Sequence, residues 1–472
     1  MPATERDLNQ AGVAAARRAL AMIRDLQAKL AAAEGAARTP IAVAGLACRY
    51  PGADDADGYW AQIAQGRDAI TEVPPERWDI DAWYDPDPDR PGKMSSRWGG
   101  FLRGVDQFDS AHFAITRREA EALDPQHRLL LETSWHALED AGIAPDSLFG
   151  KKLGIFVGLS TNDYGTLLGA GRGAEWIDAY ASIGNAQSAA AGRLAYSLGT
   201  HGPTLVVDTA CSSSLVALHL AIQSLRAGEC EVALAAGVNL ILSPELTINF
   251  SKARMLAADG RCKPFSAGAD GYVRAEGCGV VVLRRAAAGV RARALVLGSA
   301  VNQDGRSAGL TAPSGPAQAA VVRAALADAG LDPGAVDAVE AHGTGTSLGD
   351  PIEMHALAEV FAKRDRPLWV GSVKSNIGHA EAAAGVAGLI KAVLMVEQDA
   401  VPPSLHFTQL NPHIELGGAD LRVPTSLQRQ PVRAVGVSSF GFSGTNAHVV
   451  VAKAPEQAPA ARSRPAAVLP LA

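Results

Sequence analysis

Residues 206–225, VVDTACSSSLVALHLAIQSL, decide the fold. The run 205–207 reads as a buried strand, and Asp208 and Thr209 end it. Cys211 follows, then three serines at 212–214. Apolar residues recur at Leu215, Leu218, Ile222 and Leu225, a helical spacing, and Gly228 closes the helix. A lone cysteine therefore sits at a strand-to-helix turn. Unpaired N–H groups and the helix dipole favour an anion there, and so the thiolate, which is the nucleophilic form. On this stretch alone a plain core cysteine fits equally well, because cysteine is among the most buried residue types. Residues elsewhere separate the two readings.

Outward from this stretch, strands and helices alternate. Strands are predicted at 41–48, 153–158, 231–239 and 277–284, then at 294–300, 335–340, 368–373, 435–439 and 447–451. Helices are predicted at 117–142, 184–197, 316–329 (closed by Gly330) and 382–396. Asp350, Pro351 and Glu353 read as N-cap, first-turn proline and capping-box acid. The Asp-, Pro-, Gly- and Trp-rich region 51–110 reads as an irregular surface excursion. Such alternation implies mostly parallel sheets covered by helices, with ligands beyond the carboxyl ends of the strands. The sequence of strand, polar turn and small-residue helix occurs twice, at 206–225 and at 370–395. Cys211, His342 and His379 each follow a predicted strand, and that convergence favours a reactive cysteine.

Composition bounds the rest. The 472 residues, 48% hydrophobic and 19% charged, can bury a large core. A formal charge of -6 and the lack of a basic stripe argue against nucleic acid. No run of eighteen apolar residues suggests a membrane span, and no signal-type segment opens the chain. The five cysteines lack metal-ligand spacing and read as free thiols, so a cytoplasmic location is expected. Residues 8–34 read as one helix with a narrow apolar stripe at Ala16, Leu20, Ile23, Leu26, Leu30 and Ala33. Such a stripe wants a partner helix, across a homodimer or from an upstream polypeptide. The expected division is a docking helix and linker at 1–38, halves at 39–290 and 291–452, and a Pro/Ala-rich linker at 453–472.

Several long stretches together resemble the β-ketoacyl synthases of the thiolase superfamily, and within them the ketosynthase domains of modular type I polyketide synthases. They are GLACRYPG (45–52), DPQHRLLLE (124–132), GRLAYSLG (192–199), DTACSSSL (208–215), SKARMLAADGRCKPF (251–265), GYVRAEGCGVVVL (271–283), EAHGTGTSLGDPIE (340–353), GSVKSNIGHAEAAAG (371–385) and SSFGFSGTNAH (438–448). The resemblance implies an α/β, five-layered α-β-α-β-α fold of two similar halves, preceded by an N-terminal docking coiled coil, and an obligate dimer. It implies decarboxylative Claisen condensation: an acyl chain moves from an upstream acyl carrier protein to Cys211, and malonyl or methylmalonyl on a second carrier extends it. Phosphopantetheine would come with the partner carriers, and the chain itself would bind no cofactor and no metal. Adjacent acyltransferase or other synthase domains are expected partners.

Residue chemistry agrees with this. A cysteine thiolate can hold an acyl group as a thioester. Neutral histidines at 342 and 379 can donate hydrogen bonds to a carbonyl that becomes enolate-like. The resemblance places Lys374 in the site, orienting the histidine network with Glu381, while Asn376 holds the loop. It makes the backbone N–H groups of Cys211 and Phe442 the oxyanion hole and Phe442 a gate, in a turn supported by Gly441 and Ser443. Two departures stand out: Ser443 replaces a glycine common in the fatty-acid branch, and Ser266 replaces a usual aspartate. Alternatives are a malonyl-thioester decarboxylase making starter units, a CoA-using thiolase, and a non-catalytic gatekeeping or scaffold domain. The first usually has glutamine for Cys211, the second needs a cysteine in the last loop, and the third should lack Cys211 or a histidine.

Overall fold

The computed structural model describes residues 17, 20–27, 35, 38–170, 174 and 177–455. Eleven strands form its main sheet: β1 Ile41–Arg49, β2 Leu153–Gly158, β3 Thr204–Val207, β4 Val232–Asn239, β5 Gly277–Arg285, β6 Ala294–Gln303, β7 Ala338–Glu340, β8 Leu368–Gly371, β9 Leu421–Arg422, β10 Ala434–Phe440 and β11 Thr445–Lys453. Their order is β9-β8-β7-β10-β11-β6-β1-β5-β4-β2-β3. Two copies of one pattern are visible. From β1 the pairings to β5 and β4 are antiparallel and those to β2 and β3 are parallel. From β6 the pairings to β11 and β10 are antiparallel and those to β7 and β8 are parallel. The copies join where Ile41, Ala42 and Val43 pair with Val296, Leu295 and Ala294. The sheet is thus mixed, not mostly parallel: β10 and β11 are one hairpin, which needs no crossover helix.

Six helices complete five layers. Helix α1, Pro125–Asp140, and α2, Gln187–Leu198, cover the outer face of the first half, with Leu130, Leu138 and Leu194 packed on Ile155 and Val280. Helix α3, Ser213–Ala227, and α6, Ala384–Gln398, fill the space between the halves, where Leu215, Leu218, Ile222, Leu389 and Ile390 meet Val281, Val437 and Val449. Helix α4, Gly315–Ala329, and α5, Gly349–Val360, cover the second half through Val322, Leu326 and Leu357 on Val339 and Val370. Each such buried aliphatic side chain contributes about 1.5–3 kcal/mol. Almost every residue of α6 is buried, as its apolar, small-residue sequence requires.

Several expectations change. Among the described residues strand β3 is an edge, not a buried strand; it pairs there only with β2, and Leu205 is 38% exposed. Region 117–142 is two helices, because Asp124 accepts from the Gln126 N–H and Pro125 begins a new helix. Region 184–197 is likewise divided, at the extended residue Ala186. The excursion at 51–110 carries the short helices Ala56–Ala64 and Ile80–Trp83, and buries Tyr59, Ile63 and Met94 completely. Of the N-terminal helix reading, residues 20–27 are helical with Leu20, Ile23 and Leu26 exposed; the remainder lies largely outside the described residues, as does most of 453–472. None of the described helices is long and apolar enough to cross a membrane.

Candidate active site

The turn Ala210–Ser212 is a single 3-10 turn between β3 and α3. Ala210 is held at φ +56, a left-handed conformation costing an L-residue about 1–2 kcal/mol. Local side chains hold it there. The Ala210 N–H donates to Asp208 Oδ1 (2.9 Å), and Ser213 Oγ donates to the Ala210 carbonyl (2.6 Å) while accepting from the Thr209 N–H (2.9 Å). Ser212 Oγ donates to the Thr209 carbonyl (2.9 Å), and Ser214 Oγ accepts from the Val386 N–H (3.0 Å), tying α3 to α6. The three serines therefore lock the turn. Ser439 Oγ donates to the Cys211 carbonyl at 2.7 Å.

Cys211 alone among the five cysteines is only partly buried. Burial pushes its thiol up to about 11, and Glu381 adds to this; the Phe442 N–H, Lys374 and its own N–H pull the other way. The resting thiolate expected from the helix start is not met. Desolvation wins, and the 3-10 turn separates Cys211 from the first residue of α3.

Strands β7 and β8 bring the histidines to this turn. The Cys211 sulfur and one ring nitrogen from each of His342 and His379 lie within 4.8 Å of one another. The rings cross nearly perpendicular, 5.5 Å apart. Burial and Lys374 hold both far below the usual histidine range, so both are neutral. Their tautomers follow from their partners. Nδ1 of His379 accepts from the Glu381 N–H at 2.8 Å, and Nδ1 of His342 accepts from the Phe440 N–H at 3.4 Å. A backbone N–H can only donate, so Nε2 carries the proton in each ring.

Lys374 is buried at the foot of the site, and burial lowers its pKa against the opposing pull of Glu340 and Glu353. It is not paired with Glu381. That carboxylate takes Arg274 instead, with Nε–Oε1 2.5 Å and Nη2–Oε2 3.1 Å; Glu340 takes Lys391 at 2.6 Å. Asn376 ties its loop to another, donating from Nδ2 to the Arg67 carbonyl (3.0 Å) and accepting the Ala69 N–H at its own carbonyl (2.8 Å).

Asp350 and Glu353 do not cap α5, which starts at Gly349. Glu353 accepts from the N–H groups of His342 (2.7 Å) and Gly343 (2.8 Å). Asp350 accepts from those of Phe265 (2.6 Å) and Gly345 (3.1 Å). Both carboxyls are raised by burial to about 7. Glu353 and Arg274 were thus given no place in the site by sequence reasoning, although both lie inside family-like stretches. Glu353 follows the Asp-Pro pair at capping spacing, which hid its reach back to His342.

Phe442 is 44% exposed, and its N–H faces the Cys211 sulfur together with that of Cys211 itself. Gly441 permits this: a Cβ there would stand 2.4 Å from the Thr209 carbonyl oxygen. The Ser443 carbonyl accepts from Gln303 Nε2 at 3.1 Å. Ser266, the second departure, is buried 3.2 Å from Thr408 Oγ1.

The spacing of one sulfur and two imidazoles would suit a soft divalent metal, but the tautomers oppose it. A metal-bound imidazole donates its second N–H outward, whereas here both Nδ1 atoms accept from backbone N–H groups that cannot turn into acceptors.

Three family models match the chain: the N-terminal domain of the β-ketoacyl synthases over residues 38–288, their C-terminal domain over 293–408, and the ketoacyl-synthetase C-terminal extension over 411–471. Among curated proteins, one phenolphthiocerol/phthiocerol polyketide synthase polypeptide of Mycobacterium tuberculosis is 54% identical over 435 residues, 89% of this chain and 24% of that one. Another polypeptide of the same synthase and organism is 49% identical over 452 residues, 94% of this chain and 29% of that one. The chain spans about a quarter of the length of these relatives. Among solved structures, a ketosynthase from module 6 of the bacillaene synthase of Bacillus subtilis has TM-score 0.83 and 41% identity, covering 89% of this chain and 73% of that one. An oxazolomycin ketosynthase domain of Streptomyces albus has TM-score 0.85 and 43% identity, covering 89% and 76%.

Proposed function

Because this chain belongs to the β-ketoacyl synthases, as a ketosynthase domain of the modular type I polyketide synthase kind, we propose that its condensing activity is divided between Cys211 as acyl acceptor and His342 with His379 as paired donors. The observation that carries this is the tautomer pair: two neutral imidazoles, both protonated at Nε2, beside one sulfur.

In loading, Cys211 Sγ attacks the thioester carbonyl of an acyl group on a carrier's phosphopantetheine. The N–H groups of Cys211 and Phe442 hold the oxyanion. The carrier thiolate leaves and takes up the proton that the cysteine thiol gave. In condensation, a malonyl or methylmalonyl thioester on a second carrier places its carbonyl oxygen against the two Nε2–H groups. The bond to the carboxylate breaks, CO₂ leaves, and its electron pair becomes the enolate. The enolate carbon attacks the Cys211 thioester, the C–S bond breaks, and the leaving thiolate takes a proton from solvent water. The product is a β-ketoacyl thioester two backbone carbons longer. Lys374, Glu353 and Asn376 set the positions of the histidine loops, and Phe442 gates the acyl side from the malonyl side.

The partners belong to the same proposal: upstream and downstream acyl carrier proteins, neighbouring synthase domains, and a second copy of this chain. The edge position of β3 among the described residues supports the last, since there it pairs on one side alone and leaves Leu205 exposed. We assign 1–38 to docking, 39–290 and 291–452 to the two halves, and 453–472 to a linker.

Intact-protein mass spectrometry after incubation with an acyl thioester tests the acceptor. One adduct is expected, absent in Cys211→Ala. An adduct that survives in Cys211→Ala overturns the assignment.

A further inference from the structure

Glu381 stands two residues past His379 at φ +48, a conformation that a long side chain rarely adopts. That conformation aims its N–H at His379 Nδ1, 2.8 Å away. Its carboxylate is held by a charge far along the chain. Arg274 is 2% exposed and grips the Glu381 carboxylate with two hydrogen bonds. Arg274 is itself fixed, donating to Thr247 Oγ1 at 2.8 Å and lying 5.3 Å from the centre of the Phe250 ring. The segment carrying Arg274 also holds the histidine backbone from both sides: the His379 N–H donates to the Val273 carbonyl (2.7 Å), and the Ala275 N–H donates to the His379 carbonyl (2.8 Å). A closed ring results, from Arg274 through the Glu381 carboxylate and N–H to the imidazole, and back through the main chain.

We propose that Arg274 and Glu381 are a positioning pair for condensation: the buried ion pair holds Glu381 in its left-handed conformation, and the backbone N–H so aimed fixes His379 as an Nε2–H donor. The inference rests on the donor role proposed for His379. Neither charged group touches substrate; both act through the imidazole. A buried ion pair is a weak source of stability, and apolar replacement of both partners is often neutral, so its presence calls for another reason. Orientation of a donor supplies one. An apolar pair would fill the space but would leave residue 381 nothing to hold it at φ +48, and its N–H would turn away from Nδ1.

Two double variants separate positioning from packing. Arg274→Met with Glu381→Leu keeps the volume and removes both charges. Its melting temperature should stay near the parent's, while kcat for malonyl-thioester decarboxylation falls about 10–100-fold, the usual cost of losing a supporting partner, with KM little changed. Arg274→Met with Glu381→Gly leaves a void, yet glycine adopts φ +48 without cost, so kcat should recover to within about threefold of the parent. Selective ¹⁵N-histidine spectra should show His379 as the Nε2–H tautomer in the parent and the glycine variant, and as a mixture in the leucine variant. Parent-like kcat in the leucine variant, or a glycine variant no faster than the leucine one, overturns the proposal. A parent enzyme that releases no CO₂ from malonyl thioester would instead remove the donor role on which it rests.

Discussion

The turn that carries Cys211 and the turn that follows His379 occupy equivalent places in the two halves. β3 and β8 are equivalent strands, and each is followed by a left-handed non-glycine residue that opens a single 3-10 turn and then a helix of the central layer. Ala210, Cys211 and Ser212 in one copy correspond to Glu381, Ala382 and Ala383 in the other. The backbone is reused, and the chemistry is not. The first turn presents a side chain, the sulfur of Cys211. The second presents a main-chain group, the Glu381 N–H, and puts a buried alanine where the nucleophile would be. The strain is also held differently: Ala210 by its neighbours Asp208 and Ser213, Glu381 by a residue more than a hundred positions away. A repeated scaffold can thus supply an acceptor and a donor, provided each turn has its own restraint.

The largest effect should come from dissecting this division of labour. On the proposed roles, His342→Ala and His379→Ala would each remove one donor from a developing enolate, which typically costs about 10²–10³ in rate. Condensation and CO₂ release should fall by that much while acyl loading of Cys211 persists. Cys211→Gln should do the reverse, losing loading and keeping CO₂ release. Histidine variants that lose loading as fully as condensation would show that both turns serve the sulfur.

Next in size is the pH dependence of the first turn. With its thiol raised to about 11, Cys211 should react with iodoacetamide along a curve still rising above pH 10. An ordinary thiol titrates near 8.5, so the thiolate fraction at neutral pH is lower by about 300-fold. The sign is that of a buried acid, neutral at rest and charged only as pH climbs. A curve that levels off below pH 8 would mean that the helix start outweighs burial after all.

A smaller effect tests the local restraint. Ser213→Ala removes the partner of both the Ala210 carbonyl and the Thr209 N–H, so thermal unfolding should show a loss of about 1–3 kcal/mol. No loss would mean that the strain of Ala210 is held elsewhere. The smallest effect concerns the outer sides of the equivalent strands. Among the described residues β8 is covered by β9, and β3 is open. If the open edge makes the dimer, a chain lacking residues 1–38 should sediment as the full chain does. A clean monomer would move the contact to the N-terminal helix.

Much of this was legible in the sequence, for particular reasons. The strands at 153–158 and 232–239 were visible because two-sided burial leaves continuous apolar runs. The Cys-His-His set was visible because its residues follow strands and lie in distinctive motifs. The edge character of β3 was not, since an apolar run at the edge of a sheet reads like a buried one. The partner of Glu381 was hidden because ion pairs across 107 positions leave no local pattern. Lys374 stands closer in sequence and drew the assignment instead. Glu353 was misread because an acid three residues into a helix matches a capping box, whether it turns to its own helix or to a neighbouring loop.

One consequence of the histidine tautomers concerns waiting. A water molecule beside the acylated sulfur becomes a hydrolytic nucleophile only if something takes its proton. Both imidazoles already carry hydrogen at Nε2, and both Nδ1 atoms are occupied by main-chain donors. Neither ring can take a further proton without breaking its main-chain hydrogen bond at Nδ1. On the proposed roles, the same fixation would deny a hydrolytic water its base and so lengthen the life of the acyl thioester on Cys211.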